Sequence, residues 1–254
     1  MSRNFELMRN LGRNFEETST PRPRPVIPNE QQRLRPAGTG TRFDLSQMAR
    51  EETLRLVQRL FLQQSQKGPR AILFAGIEQG TGCSQICLLV AEILRSAVSG
   101  SICLVDANFR SPSLPRLLGT TNGYGLTNAL LEDGPVQAFV RPLHIANAWL
   151  LSCGSLGPGS LNLLNSQRMK ARFEELRTQF DYLLIDAPSL SRYADATALG
   201  RLTDGVVLVL EANSTRKETA LNVMENLRAA QIQVLGAVLN KRTFPIPELL
   251  YRRL

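Results

Sequence analysis

The feature that most constrains this chain is a repeated alternation of short unbroken apolar runs with amphipathic stretches. Ala71 to Ala75, Ser101 to Val105, Trp149 to Ser152, Tyr182 to Ile185, Gly205 to Leu210 and Val234 to Leu239 read as strands. Ser84 to Ser96, Asn165 to Gln179 and Lys217 to Ala230 lie between them and read as helices. A further helical run, with Leu54, Val57, Leu60 and Phe61 in step, extends from Asp44 to about Gln64 and is ended by Gly68 and Pro69. A strand with no polar alternation is buried on both faces, and that requires helices above and below the sheet. The chain is therefore predicted to be α/β, a three-layer, doubly wound and mostly parallel sheet. In such sheets ligands sit beyond the carboxyl ends of the strands, so the polar residues that follow each strand carry the chemistry.

With 254 residues, 43% of them hydrophobic, the chain is long enough for one sizeable core. The expected organisation is one domain over residues 44–254 behind a flexible basic tail at 1–43. In that tail Thr20-Pro21-Arg22-Pro23-Arg24-Pro25 alternates proline with a cation and is expected to be extended and solvated, or to serve as a tether or a polyproline ligand. The net charge of +8 permits an anionic membrane surface, a nucleic acid or an acidic partner, and selects none. Aromatics at 6% disfavour stacking platforms for single-stranded nucleic acid. Cys83, Cys87, Cys103 and Cys153 form no CxxC pair, so reduced thiols in the cytosol are expected, without disulfides or zinc. No apolar run is long enough to span a bilayer and the first residues hold no apolar leader segment, so any membrane role is expected to be peripheral. His144 is the one histidine and its surroundings do not prepare it for hydrolysis, so a surface or loop role is expected.

After the first strand comes Gly76-Ile77-Glu78-Gln79-Gly80-Thr81-Gly82-Cys83-Ser84. A glycine-rich turn between strand and helix is the setting of a phosphate loop, because glycines let the backbone approach and the helix N-terminus offers free N–H groups. A working loop adds a lysine for the outer phosphates and a hydroxyl for magnesium. Ser84 occupies the hydroxyl position and Cys83 the lysine position. By itself the segment reads equally as an ordinary turn with glycines for close packing. The second strand ends in Asp106, followed by Ala107-Asn108-Phe109-Arg110-Ser111-Pro112, and another ends in Asp186-Ala187-Pro188. Carboxylates at strand ends beside a phosphate loop suit magnesium or its water, and an N-cap or turn aspartate is the alternative. Asn240 ends the last strand, where an amide suits a purine edge.

In order along the chain, Gly80 to Ser84, Leu104 to Pro112, Leu184 to Pro188, Tyr193-Ala194-Asp195-Ala196 and Leu235 to Asn240 resemble the Walker A, A′ and B motifs and flanking blocks of the bacterial tyrosine kinases of capsule and exopolysaccharide synthesis. The resemblance spans roughly residues 48 to 242 and lies within the MinD/ParA-like branch of P-loop nucleoside triphosphatases. It implies ATP or ADP with Mg2+ as cofactor. Gly80, Thr81, Gly82, Cys83, Ser84 and Gln85 would form the nucleotide loop and Asn240 would lie near the base. Ser84, Asp106 and Asp186 would serve the metal, and the two aspartates would also organise the attacking hydroxyl. As partner it implies a membrane-embedded polysaccharide chain-length regulator or export protein, with homo-oligomers possible and location at the inner face of the plasma membrane.

The departures from that pattern are specific. Cys83 replaces the lysine, Gln85 stands where a second hydroxyl is usual, and Asn108 stands where the A′ motif has a second aspartate. Glu78 and Gln79 supply no substitute cation. After Asn240 the only tyrosine is Tyr251, where the family has a tyrosine-rich segment. The helix associated with oligomerisation keeps Glu52 and Arg55, with Gln58 at the next step. Phe244 to Leu254 carries the apolar and basic residues of a peripheral membrane helix. Loss of one charge-stabilising contact costs on the order of 3 kcal/mol, about a hundredfold in rate. The expected function is a regulatory pseudo-kinase or weak ATPase of polysaccharide export. A positioning or partitioning ATPase that binds membrane or DNA is the alternative, and a scaffold that binds no nucleotide is a third reading.

Overall fold

The structure, a computed structural model, describes residues 45–62, 68–144, 146–157 and 159–242. The expected tail at 1–43, the C-terminal segment from Phe244 and Tyr251 lie outside the described residues.

A seven-stranded sheet forms the centre, in the order β3-β4-β2-β5-β1-β6-β7. Its strands are β1 (Ala71–Gly76), β2 (Ile102–Asp106), β3 (Arg141–Pro142), β4 (Ala148–Leu151), β5 (Tyr182–Ala187), β6 (Gly205–Glu211) and β7 (Val234–Asn240). Every pairing is parallel except that of β3 with β4, a two-residue antiparallel edge. The helices are α1 (Leu45–Val57), α2 (Cys83–Ala97), α3 (Leu114–Leu117), α4 (Leu126–Leu131), α5 (Gln167–Gln179), α6 (Asp195–Gly200) and α7 (Lys217–Ala229). The expected first helix runs as α1 to Val57 and continues through a π turn to Leu62.

Successive side chains of a strand point to opposite faces, and β1 is buried along its whole length. Leu73 and Ala75 join one apolar cluster with Phe173 of α5, Leu199 of α6 and Leu227 of α7. Ile72 and Phe74 join the other, with Leu60 beyond α1, Val90 and Leu94 of α2 and Leu114 of α3. The three-layer, doubly wound reading is therefore correct, and it explains why these strands carry no polar alternation. The chain passes from β1 outward to β2 and returns between them with β5, so the carboxyl ends of all three strands open together.

Candidate functional site

The site begins with a register. In the β2–β5 pairing Asp106 lies directly opposite Asp186, and both side chains are fully buried. Ser84, in the first turn of α2, donates from its Oγ to Asp186 Oδ2 at 2.5 Å. Ser113 Oγ lies 2.7 Å from Ser84 Oγ and continues the chain of hydroxyls. The two carboxylates are held differently. Asp106 accepts backbone N–H groups from Ser113 at 2.9 Å and Leu114 at 3.0 Å through Oδ2, and from Asn108 at 3.2 Å through Oδ1. Asp186 Oδ1 is buried and accepts no hydrogen bond.

A buried oxygen without a partner is costly unless something binds it. Burial, then the Asp106 charge, push the Asp186 carboxyl up to about 8, against the hydrogen bonds from Ser84 and Cys83. Burial raises Asp106 to about 6, and its three backbone donors oppose the rise. The pair therefore holds a proton near neutrality, as two like charges in a dry site must. A divalent cation would remove that need. Asp186 and the Ser84 hydroxyl fit Mg2+, with Asp106 beside them and water or phosphate oxygens completing the shell. Among the described residues no group of three or more histidine, cysteine, aspartate or glutamate side chains could hold a metal by itself.

The loop between β1 and α2 adopts the open form its glycines allow. Gly80 and Gly82 have φ of 86° and 83°, in the left-handed region where side chains are strained. A Cβ on Gly82 would also lie 2.4 Å from Asn240 Nδ2. Gly82 caps α2 with no side-chain hydrogen bond, which leaves first-turn N–H groups to an anion. The loop opens into a cleft of about 780 Å³, lined by Gly80 to Gln85 and by Asn108, Arg110, Ser113, Arg116, Tyr193 and Lys241 among others. A second cavity of about 470 Å³ between α6 and α7 contains no carboxylate.

The structure thus brings together Gly80, Thr81, Gly82, Cys83, Ser84, Gln85, Asp106 and Asp186. Asn240, at the end of β7, lies beside the loop. Its Nδ2 donates to the Thr81 carbonyl at 2.8 Å, so this donor braces the loop, and Asn240 is not among the cleft-lining residues. Gly154 and Ser155, after β4, are tied to Asn122 and Gly123, and residues 154–157 do not line the cleft. Burial, then the Asp186 charge, push the Cys83 thiol well above the ordinary range, the opposite of what a thiolate nucleophile needs. His144 is exposed in the turn between β3 and β4. Glu52 and Arg55 form an exposed ion pair at 2.6 Å on α1, worth little to stability in that setting.

Ser113 and Arg116 were not singled out from sequence, whereas Tyr193, which also lines the cleft, belongs to a block that was. The signal for the first two was their position in the segment that follows a strand-end aspartate. Asn108 accepts from Ser111 N at 3.0 Å and shapes that segment as a turn.

No family model matches the chain. Among curated proteins it is 32% identical over 139 residues to the tyrosine-protein kinase YwqD of Bacillus subtilis, covering 55% of this chain and 59% of that protein. It is 27% identical over 175 residues to the succinoglycan biosynthesis transport protein ExoP of Rhizobium meliloti, covering 68% of this chain and 22% of that one. Less than two thirds of the length of the Bacillus relative is spanned. Among solved structures, the chimerical protein CapA2B2 superposes with a TM-score of 0.71 at 22% identity, covering 76% of this chain and 85% of that one. The septum site-determining protein MinD of Pyrococcus horikoshii, complexed with Mg-ADP, gives 0.59 at 19% identity, with coverages of 72% and 76%.

Proposed function

We infer the function from two findings, the similarity of the chain to bacterial tyrosine-protein kinases and its MinD/ParA-like P-loop fold. From that premise we propose that it is a kinase-like protein of exopolysaccharide or capsule biosynthesis that binds Mg-nucleotide weakly and acts by regulation rather than by efficient phosphoryl transfer. One observation carries the reading: a buried carboxylate pair with an unsatisfied oxygen faces Ser84 beside a phosphate loop whose lysine position is Cys83.

In this reading Gly80 to Gln85 wrap the phosphates through backbone N–H groups. Ser84 and Asp186 hold the Mg2+, and Asp106 fixes the segment from Asn108 to Leu114 against the site. Bound Mg2+ would neutralise phosphate charge and align the outer phosphoryl group. Asp186 would serve as metal ligand, and with the loop lysine missing the transferring phosphoryl group loses a stabilising charge. The partner would be a membrane-embedded chain-length regulator or export protein, which places the chain at the inner face of the membrane. That ExoP is a transport protein of succinoglycan biosynthesis supports this assignment. Among the described residues no helix is long and apolar enough to cross a membrane. The partitioning-ATPase reading is not favoured, because the sequence relatives are tyrosine kinases and the likeness to MinD is one of fold.

The test is incubation of the native chain with labelled ATP and Mg2+, read for phosphotyrosine and released phosphate. Neither is expected above background, while Mg-ADP raises the melting temperature. Phosphotyrosine formed at a rate that the Cys83→Lys variant does not increase would sink the regulatory reading.

A further inference from the structure

If the site takes a nucleotide, the charge of its phosphates must be met by a cation from outside the loop, because Glu78, Gln79 and Cys83 supply none. Three cations line the cleft, Arg110, Arg116 and Lys241, and Glu78 is the carboxylate that lines it with them. Arg110 is already engaged: its Nε donates to Asp195 Oδ2 at 2.8 Å, and its guanidinium lies 4.6 Å from the centre of the Tyr193 ring. Lys241 Nζ lies 3.0 Å from Glu211 Oε2. Arg116 is exposed, and among the described residues its guanidinium meets no carboxylate and no hydrogen-bond acceptor.

The position of Arg116 is fixed by the site itself. It belongs to α3, whose leading residues Ser113 and Leu114 give their N–H groups to Asp106. Ser113 Oγ in turn lies 2.7 Å from Ser84 Oγ. Leu114 and Pro115 are buried, so the four-residue helix is anchored while Arg116 faces the cleft. A planar guanidinium binds phosphate oxygens through two parallel hydrogen bonds and stays charged at every relevant pH.

We propose that Arg116 is the phosphate-binding cation of this site, supplying from the opposite element of the cleft lining the positive charge that the loop lacks. The inference rests on the nucleotide reading above and assigns the residue that makes such binding possible. The ligand class is the nucleoside di- or triphosphate with Mg2+. Because Arg116 is carried on the segment that Asp106 holds, phosphate binding would also draw α3 against the loop.

Titration calorimetry with MgADP and MgATP on the native chain, Arg116→Gln, Arg116→Lys and the pair of variants in a Cys83→Lys background tests this. Arg116→Gln is expected to weaken binding about tenfold or more, the loss of a charge-assisted hydrogen bond, with the melting temperature of the ligand-free chain unchanged. Arg116→Lys should recover part of that loss. In the Cys83→Lys background Arg116→Gln should cost less, because the loop lysine then carries the charge. Measurable binding by the native chain that Arg116→Gln leaves within about twofold overturns the assignment and leaves the nucleotide reading intact. No binding by the native chain overturns both.

Discussion

Replacing Asp186 with asparagine is expected to raise the stability of the ligand-free chain at alkaline pH and to remove its Mg2+-dependent affinity for nucleotide. The reason is the uncompensated carboxylate. Asp186 is fully buried, one of its oxygens has no partner, and Asp106 lies opposite it across β2 and β5. Its carboxyl pKa is pushed up to about 8 in the folded chain, against 3.8 for an ordinary aspartate. Between these values the folded state binds more protons than the unfolded one, so stability falls as pH rises through the window and the loss is complete above it. An amide carries no charge to desolvate. Relieving a buried unsatisfied group is worth about 1–3 kcal/mol, and each kcal/mol moves the melting temperature by about 2–4 °C in a domain of this size. Thermal melts without metal should show the native chain losing stability from pH 6 to pH 9 and Asp186→Asn much less. With Mg-ADP the order should invert, since the native chain alone gains a ligand. A variant less stable than native at pH 9 without metal would mean that Asp186 is held for Ser84 rather than for a cation.

The second large effect is expected from Cys83→Lys. A lysine at the head of α2 would place its ammonium in the cleft, close to Asp186, whose charge already acts on the Cys83 thiol. Restoring one phosphate contact is expected to raise a rate that depends on it by on the order of a hundredfold and to tighten ATP binding as well. The same ammonium should lower the Asp186 pKa and flatten the pH dependence of stability described above. The checks are ATP titration and phosphate release on the variant beside the native chain. Tighter binding with unchanged turnover would locate the remaining deficit at Asn108. A lysine that changes neither would show that the loop differs from a phosphate loop in more than one residue.

What could be read from sequence follows from physics that acts locally. Apolar runs such as Ile72 to Phe74 could only be strands buried on both sides, so the layers and the mostly parallel sheet were legible. Asp106 and Asp186 stood out because each ends such a run. Their direct pairing was not legible, because it depends on β5 returning between β1 and β2, a fact of topology carried by contacts distant in sequence. Apart from the strand read at Trp149 to Ser152, the stretch from Leu114 to Asn165 was also opaque. Its elements, α3, α4, two 3-10 turns and the edge β3, are each six residues or shorter, too short for hydrophobic period to register. Arg116 lies in that stretch, which is why the cation inferred for the site was missed while the cation missing from the loop was seen. Asn240 was legible as a strand-end amide, and its use in bracing Thr81 depends on the approach of β7 to the loop.

The most direct test is a calorimetric titration of the native chain with ADP, once in Mg2+ and once in excess chelator. Binding that requires Mg2+ is expected, weak because Cys83 supplies no charge. Heat that is the same with and without Mg2+, or no binding in either condition while Cys83→Lys also fails to bind, would contradict the assignment of Ser84, Asp106 and Asp186 to a metal-nucleotide site.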